Sequence, residues 1–238
     1  LRFQQRLITD EFGNVFLLLP GRALLRYNRD KHDFSEAHNF FRAPPGLPIM
    51  DFVQQPGTQK YWMCTGGSGF SVYNHETGQW SDRVDNREKE PLITRHIQGI
   101  NPYKLFFDSR GRVWYASLEE NLPYLYGFDT GSGTHFLERY GFGSQVPRYH
   151  EVNDFLEQQD GSIWISGVFI LAKYLETDRA FQQVYNGYLG EQSIDYVVIT
   201  SIREDRERNI WLGTANNGLY RFNPAEEFFR TIRHASKL

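Results

Sequence analysis

The residue types that could carry chemistry recur along the chain rather than cluster. Asp10, Asp108 and Asp205 each stand six residues before a large aromatic, at Phe16, Trp114 and Trp211. A set of carboxylates would suit metal binding or acid–base work, but such work needs carboxyl groups within roughly 5 to 10 Å of each other. Dispersed copies do not converge in that way. Each Asp precedes a turn, where a carboxylate caps main-chain N–H groups, and turn capping is the reading adopted. The seven histidines show no His-x-x-x-His or related helical metal spacing. Gly66-Gly67-Ser68-Gly69 lacks both the last glycine of a G-x-S-x-G elbow and the Gly-Lys-Ser/Thr ending of a phosphate loop, so it reads as a turn between strands. The single Cys64 excludes an internal disulfide framework and a thiolate metal cluster. No catalytic residue, metal or cofactor is assigned.

The aromatics that follow those aspartates reveal the elements. Phe16, Trp62, Trp114, Trp164 and Trp211 lie 46, 52, 50 and 47 residues apart. Two residues after each come Leu18, Cys64, Ala116, Ser166 and Gly213, small in four of five copies and on the same strand face as the aromatic. The small partner is expected to leave room for a neighbouring ring. A second aromatic column follows at Tyr27, Tyr73, Phe128, Tyr174 and Phe222, and a third at Phe34, Trp80, Phe136, Phe181 and Phe228. Each repeat reads as four strands. In the last copy these are 197–202, 209–214, 218–222 and 227–232, separated by Asp, Asn, Gly and Pro turns. Runs such as Val197-Val198-Ile199 are apolar on both faces, which suits a sheet sandwiched between two others.

Four strands in a period of about 40 to 50 residues mark a β-propeller. The expected fold is all-β, a single propeller domain over 1–238 with approximate blades at 1–42, 43–88, 89–142, 143–190 and 191–238. Five blades either close a ring or form part of a larger one. The first copy replaces Trp by Phe16 and compensates with Leu18, the second lacks the Asp-x-x-Gly turn, and the third is expected to lengthen its second-to-third strand loop around 119–123.

With 16% aromatic and 23% charged residues the composition is that of a folded globular chain. A net charge of −3 gives no drive toward nucleic acid or anionic membrane. No stretch approaches the roughly 18 apolar residues of a spanning helix, and residues 1–6 lack the apolar core of a signal peptide. The abrupt start reads as that of a portion of a longer protein, with membrane attachment only through segments outside this chain.

Ser201-Ile202-Arg203-Glu204-Asp205, Asn209-Ile210-Trp211-Leu212-Gly213-Thr214 and Asn217-Gly218-Leu219-Tyr220-Arg221-Phe222 together resemble the two-component regulator propeller repeat. Asp160-Gly161-Ser162-Ile163-Trp164-Ile165 and Asp108-Ser109-Arg110-Gly111-Arg112-Val113-Trp114 are similar to it as well. The resemblance implies large propellers, commonly seven-bladed, in the extracytoplasmic half of bacterial sensor kinases, many of them associated with sensing polysaccharide breakdown products. It implies a periplasmic location here. The immunoglobulin-like segment, membrane helix and kinase that usually follow are not in this chain.

Off-repeat polar groups gather in the connections between blades: Arg95 and His96, then Arg148, Tyr149 and His150, then Tyr188. In propellers these connections share one rim with the second-to-third strand turns. Arg, His and Tyr there suit a polar small molecule or oligosaccharide through directed hydrogen bonds and stacking. Taken singly, His96 and His150 read as solvated loop histidines. Three functions are compatible with this chain: a ligand sensor, favoured; an interaction scaffold that self-associates through blade edges; and, least, an enzyme similar to streptogramin-type lyases. The last would need His96 or His150 to face Glu119 or Glu151.

Overall fold

The computed structural model describes residues 5–95, 97, 99–142, 150–184 and 196–224, and the backbone of 228–232. Five four-stranded antiparallel sheets run in simple consecutive order. Blade 1 holds β1 (Arg6–Thr9), β2 (Val15–Leu19), β3 (Ala23–Asn28) and β4 (Asp33–Ser35). Blade 2 holds β5 (Asp51–Gln54), β6 (Lys60–Cys64), β7 (Phe70–Asn74) and β8 (Gln79–Ser81). Blade 3 holds β9 (Pro102–Phe107), β10 (Arg112–Glu119), β11 (Leu122–Asp129) and β12 (Thr134–Tyr140). Blade 4 holds β13 (Glu151–Glu157), β14 (Ile163–Val168), β15 (Leu171–Leu175) and β16 (Ala180–Gln183). Blade 5 holds β17 (Ile199–Glu204), β18 (Ile210–Thr214), β19 (Leu219–Asn223) and β20 (Phe228–Ile232). The chain divides into two compact units, Leu1–Arg139 with the first three blades and Tyr140–Leu238 with the last two.

The repeat aromatics sit on second strands, and their faces are buried against the next blade of the same unit. In unit 1, Phe16, Leu18 and Leu24 pack on Phe52, Tyr61 and Met63 of blade 2. Trp62, Phe70 and Val72 then pack on Leu105, Phe107, Val113 and Tyr115 of blade 3. In unit 2, Trp164 packs on Ile202, Leu212 and Phe222 of blade 5. The run Val197-Val198-Ile199 is not the sandwiched strand expected of it, because β17 begins only at Ile199 and Val197 is 46% exposed.

The turn aspartates do more than cap. Asp108 Oδ1 accepts from the Arg110 and Arg112 N–H groups, while Oδ2 accepts from the Trp114 indole at 2.9 Å and from Arg112 Nε at 2.6 Å. Asp205 repeats the pattern with the Glu207 and Asn209 N–H groups and the Trp211 indole at 2.7 Å. Where Asp is missing, glutamine takes over, with Gln55 accepting from Trp62 and Gln158 from Trp164. In blade 1, which has no indole, Asp10 accepts instead from the Tyr61 hydroxyl of blade 2. One carboxylate or amide thus satisfies the indole donor that burial of a tryptophan would otherwise strand.

Two further expectations change. The extra residues of the third copy lengthen strands, not a loop: β10 and β11 are both eight residues long and joined by Glu120 and Asn121 alone. Both of those residues have positive φ, 51° and 65°, as a tight two-residue hairpin turn requires. The small residue two after the tryptophan also has a different reason in blade 5. A Cβ on Gly213 would stand 2.6 Å from Ser201 Oγ, at the place where the β17–β18 register shifts, so it accommodates a bulged first strand rather than a ring.

First strands are tied together by buried aspartates that periodicity alone does not flag. Asp51 accepts from Arg6 Nη1 of blade 1 at 2.6 Å and from the Leu105 N–H of blade 3 at 2.9 Å. Asp154, at the equivalent position of blade 4, accepts from Arg203 Nη1 of blade 5 at 2.6 Å and from the Ile202 N–H at 3.4 Å.

Candidate functional site

Among the described residues, three of the clefts open beside a second-to-third strand hairpin and an inter-blade connection, the rim singled out from the sequence. The largest of these three, about 580 Å³, lies in unit 1 between the Gly21–Leu24 hairpin and residues 36–49. Its connection carries Pro44, Pro45 and Pro48, whose fixed φ holds the wall open with little chain entropy to lose. Asn39 donates to the Leu24 carbonyl at 2.8 Å and so ties the connection to the hairpin. Arg22 and Arg42 line this cleft, both exposed, and neither makes an ion pair among the described residues. Their guanidinium donors face solvent beside buried Leu24, Phe41 and Ile49, an apolar wall with charged, forked donors at its mouth.

The second cleft, about 440 Å³, is lined in unit 1 by Gly99, Glu119, Glu120, Tyr126, Glu138 and Arg139, with Ile97. Here Glu119, Tyr126 and Arg139 already answer each other. Glu119 accepts from the Tyr126 hydroxyl and from Arg139 Nε at 3.1 Å, and the Arg139 guanidinium lies 4.6 Å over the Tyr124 ring. Tyr126 stacks on Tyr115 at 4.8 Å, and the Tyr115 hydroxyl meets His135 Nε2 at 2.9 Å. Burial pushes both tyrosine hydroxyls above their usual range. The third cleft, in unit 2, holds only about 60 Å³ between Val197, Val198 and Thr214–Asn217.

His135 gives a pH dependence. Its side chain is buried, and burial holds the imidazole below its ordinary pKa; Glu138, 3.9 Å away, opposes this and Arg95 adds to it. A histidine that resists protonation only when folded binds more protons once unfolded, so stability is full above the unfolded pKa of about 6.5 and falls as pH drops through it. The unfolding midpoint is therefore expected to decline between neutral and mildly acid pH. His135→Gln, which keeps a partner for Tyr115, is expected to flatten that part of the profile; an unchanged slope in a pH series of melts refutes the assignment.

Of the residues singled out from the sequence, Arg95 is exposed at the end of the short helix α1 (Pro91–Thr94), its N–H donating to the Pro91 carbonyl. His150 is buried, not solvated, with its ring edge-on to Phe142 at 5.6 Å. His96, Arg148, Tyr149 and Tyr188 lie outside the described residues. Of the two acids a lyase would need, Glu119 is engaged as above and Glu151 is buried. No group of three His, Cys, Asp or Glu side chains suited to a metal ion occurs among the described residues. Sequence reasoning missed the cleft beside Arg22 and Arg42, although the run Pro44-Pro45-Gly46-Leu47-Pro48 was a signal for a rigid connection.

Repeated four-stranded antiparallel blades, packed through aromatic columns on the next blade of the same unit, define the β-propeller class. Within that class, the model of the two component regulator propeller family matches residues 193–216, the start of blade 5. Among solved structures, the chain is similar to an extracellular domain assigned to a hybrid two component system of B. thetaiotaomicron, with 17% identity and a TM-score of 0.64 over 95% of this chain and 27% of that one. It is also similar to the WD40 beta propeller domain of Doa1, with 12% identity and a TM-score of 0.59 over 93% of this chain and 64% of that one. A protein assigned as a gluconolactonase gives 14% identity and a TM-score of 0.57 over 92% and 74% of the two chains. At these identities the likeness is one of fold. The chain spans about a quarter of the B. thetaiotaomicron domain. No curated protein sequence matches it. No helix among the described residues is long and apolar enough to cross a membrane.

Proposed function

We propose that this chain is a ligand-sensing propeller module from the extracytoplasmic part of a two-component-type signalling protein, and that it binds rather than transforms its ligand. The observation that carries this reading is the two component regulator propeller match at residues 193–216, in a chain whose fold is like that of a hybrid two component system's extracellular domain. A gluconolactonase with the same fold is a reminder that a propeller alone does not choose between binding and catalysis. Binding is supported by the first cleft, whose Arg22 and Arg42 are exposed and make no ion pair among the described residues, whereas Glu119 of the second is engaged by Tyr126 and Arg139.

The site proposed is the cleft beside Arg22 and Arg42, and the ligand is a polar small molecule such as an oligosaccharide. Forked guanidinium donors suit hydroxyl and carboxylate oxygens, and the buried wall beneath them suits the apolar face of a ring. Thermal unfolding against a panel of neutral and acidic mono- and oligosaccharides tests this. A ligand at a hundred times its Kd stabilises the folded state by about 2.7 kcal/mol, a clear rise in midpoint. The rise is expected with one sugar class and is expected to vanish in Arg22→Ala and Arg42→Ala. A panel without effect would sink the reading; a rise indifferent to both replacements would move the site elsewhere.

A further inference from the structure

The largest of the three clefts is lined by three charged side chains, one from each of three segments. Arg22 stands in the β2–β3 hairpin, Glu36 opens a 3-10 turn over Glu36–His38, and Arg42 lies on the connection that follows. All three are exposed, and none makes an ion pair among the described residues. Their main chain is nonetheless held. The Arg22 N–H donates to the Leu19 carbonyl at 2.9 Å, the Gly21 N–H to the Ile49 carbonyl at 2.8 Å, and the Asn39 N–H to the Glu36 carbonyl at 3.0 Å. The other charged groups close by in sequence have partners already: His38 Nε2 meets Asp33 Oδ1 at 2.8 Å, and Arg26 reaches Asn14 Oδ1 and the His38 carbonyl. The lining thus sets two guanidinium charges against one carboxylate, a surplus of a single positive charge.

That balance distinguishes among ligands. A neutral sugar leaves the surplus unmatched. A single carboxylate matches it, and takes guanidinium donors in charge-assisted hydrogen bonds roughly twice as strong as neutral ones. A second acid group on the ligand would meet repulsion from Glu36, whereas a ligand hydroxyl can donate to that carboxylate. The wall of Leu24, Phe41 and Ile49 is apolar and buried, which suits the C–H face of a ring better than an open chain of hydroxyls.

We propose that the ligand of this cleft is a cyclic sugar acid with one carboxylate, a uronate, with the acid group on Arg22 and Arg42 and a ring hydroxyl on Glu36. The proposal rests on the reading of the cleft as the ligand site. It adds that the acid group is required, and that Glu36 is a specificity-determining residue, which weakens the hold on acids while leaving neutral sugars nearly untouched.

Calorimetric titration of the full chain with matched pairs, glucose against glucuronate and galactose against galacturonate, tests it. For one pair the uronate is expected to bind about tenfold more tightly than its neutral partner, the worth of one charge-assisted hydrogen bond. Arg22→Gln and Arg42→Gln are each expected to remove most of that preference and to leave the neutral sugar within about twofold, as removal of an exposed charge should. Glu36→Gln keeps an acceptor for a hydroxyl but loses the repulsion, so uronate binding is expected to tighten about threefold with the neutral sugar unchanged. All three positions are exposed, and each variant is expected to keep the wild-type unfolding midpoint without ligand. A neutral sugar bound as tightly as its uronate, or a uronate preference that survives both arginine replacements, overturns this proposal and leaves the ligand-site reading standing. Weaker uronate binding in Glu36→Gln overturns the role given to Glu36. Silence from every sugar, neutral or acidic, overturns the ligand-site reading and this proposal together.

Discussion

Replacing Asp108 by alanine is expected to destabilise unit 1 by about 3 to 5 kcal/mol, the range for removing one partner of a buried ion pair. The carboxylate is buried and serves two main-chain N–H groups, the Trp114 indole and the Arg112 guanidinium at once. Loss of all four bonds unpins the β9–β10 hairpin, and the indole loses its acceptor in a fully buried setting. Asp108→Asn separates the parts: one amide oxygen can still accept from the turn or from the indole, so a smaller loss is expected. Asp205→Ala removes the matching turn and indole bonds, with the neutral Asn209 side-chain amide in place of the Arg112 ion pair, at a less buried position, and a smaller drop in melting midpoint is expected there. Chemical denaturation of the three variants checks the order. Equal effects at Asp108 and Asp205 would show that neither burial nor the Arg112 ion pair governs the strength of this staple.

That staple marks how far the sequence could be read. Spacing alone was enough to place the aromatics on second strands, because three columns in register leave one strand pattern that buries them all. It was also enough to place Asp108 and Asp205 in turns, since Asp before a Gly- or Asn-containing turn has a local partner. The bond from the second carboxylate oxygen to the indole six residues on was not legible, because it depends on how the hairpin folds back. The substitution of Gln158 for Asp at the same spacing was its one visible trace. Loop length misled at 119–123, where added residues on both sides of a two-residue turn extend a hairpin without changing the turn itself. His150 was misplaced for a related reason: sequence shows that it precedes a first strand, but not that Phe142 packs against its ring. The clefts were legible only as a rim. Which hairpin stands apart from its connection depends on the course of segments such as 43–48, about which the period carries no information.

Gly167→Ala is expected to cost about 3 kcal/mol or more, at or beyond the upper end for inserting one carbon into a packed site. Gly167 lies on β14 next to the column residue Ser166, opposite the point where the β13 register shifts between Val152 and Asp154. A Cβ there would stand 1.8 Å from the Glu151 carbonyl oxygen and 3.0 Å from the Asn153 nitrogen, both main-chain atoms of the paired strand. A side chain could swing away; a backbone carbonyl held in a ladder cannot, so the two strands must separate or the bulge must straighten. Straightening it shifts the register by one residue and turns Asp154, which accepts from Arg203 of blade 5, toward the opposite face. The damage should therefore reach the neighbouring blade. Gly67→Ala is the control, because no atom lies within 4 Å of its added Cβ and a change within about 0.5 kcal/mol is expected. Denaturant titration gives both values, and hydrogen exchange of the β17 amides reports whether blade 5 is loosened. A Gly167→Ala chain as stable as the control would mean that the bulge yields freely and that close backbone approach does not hold blade 4 in register.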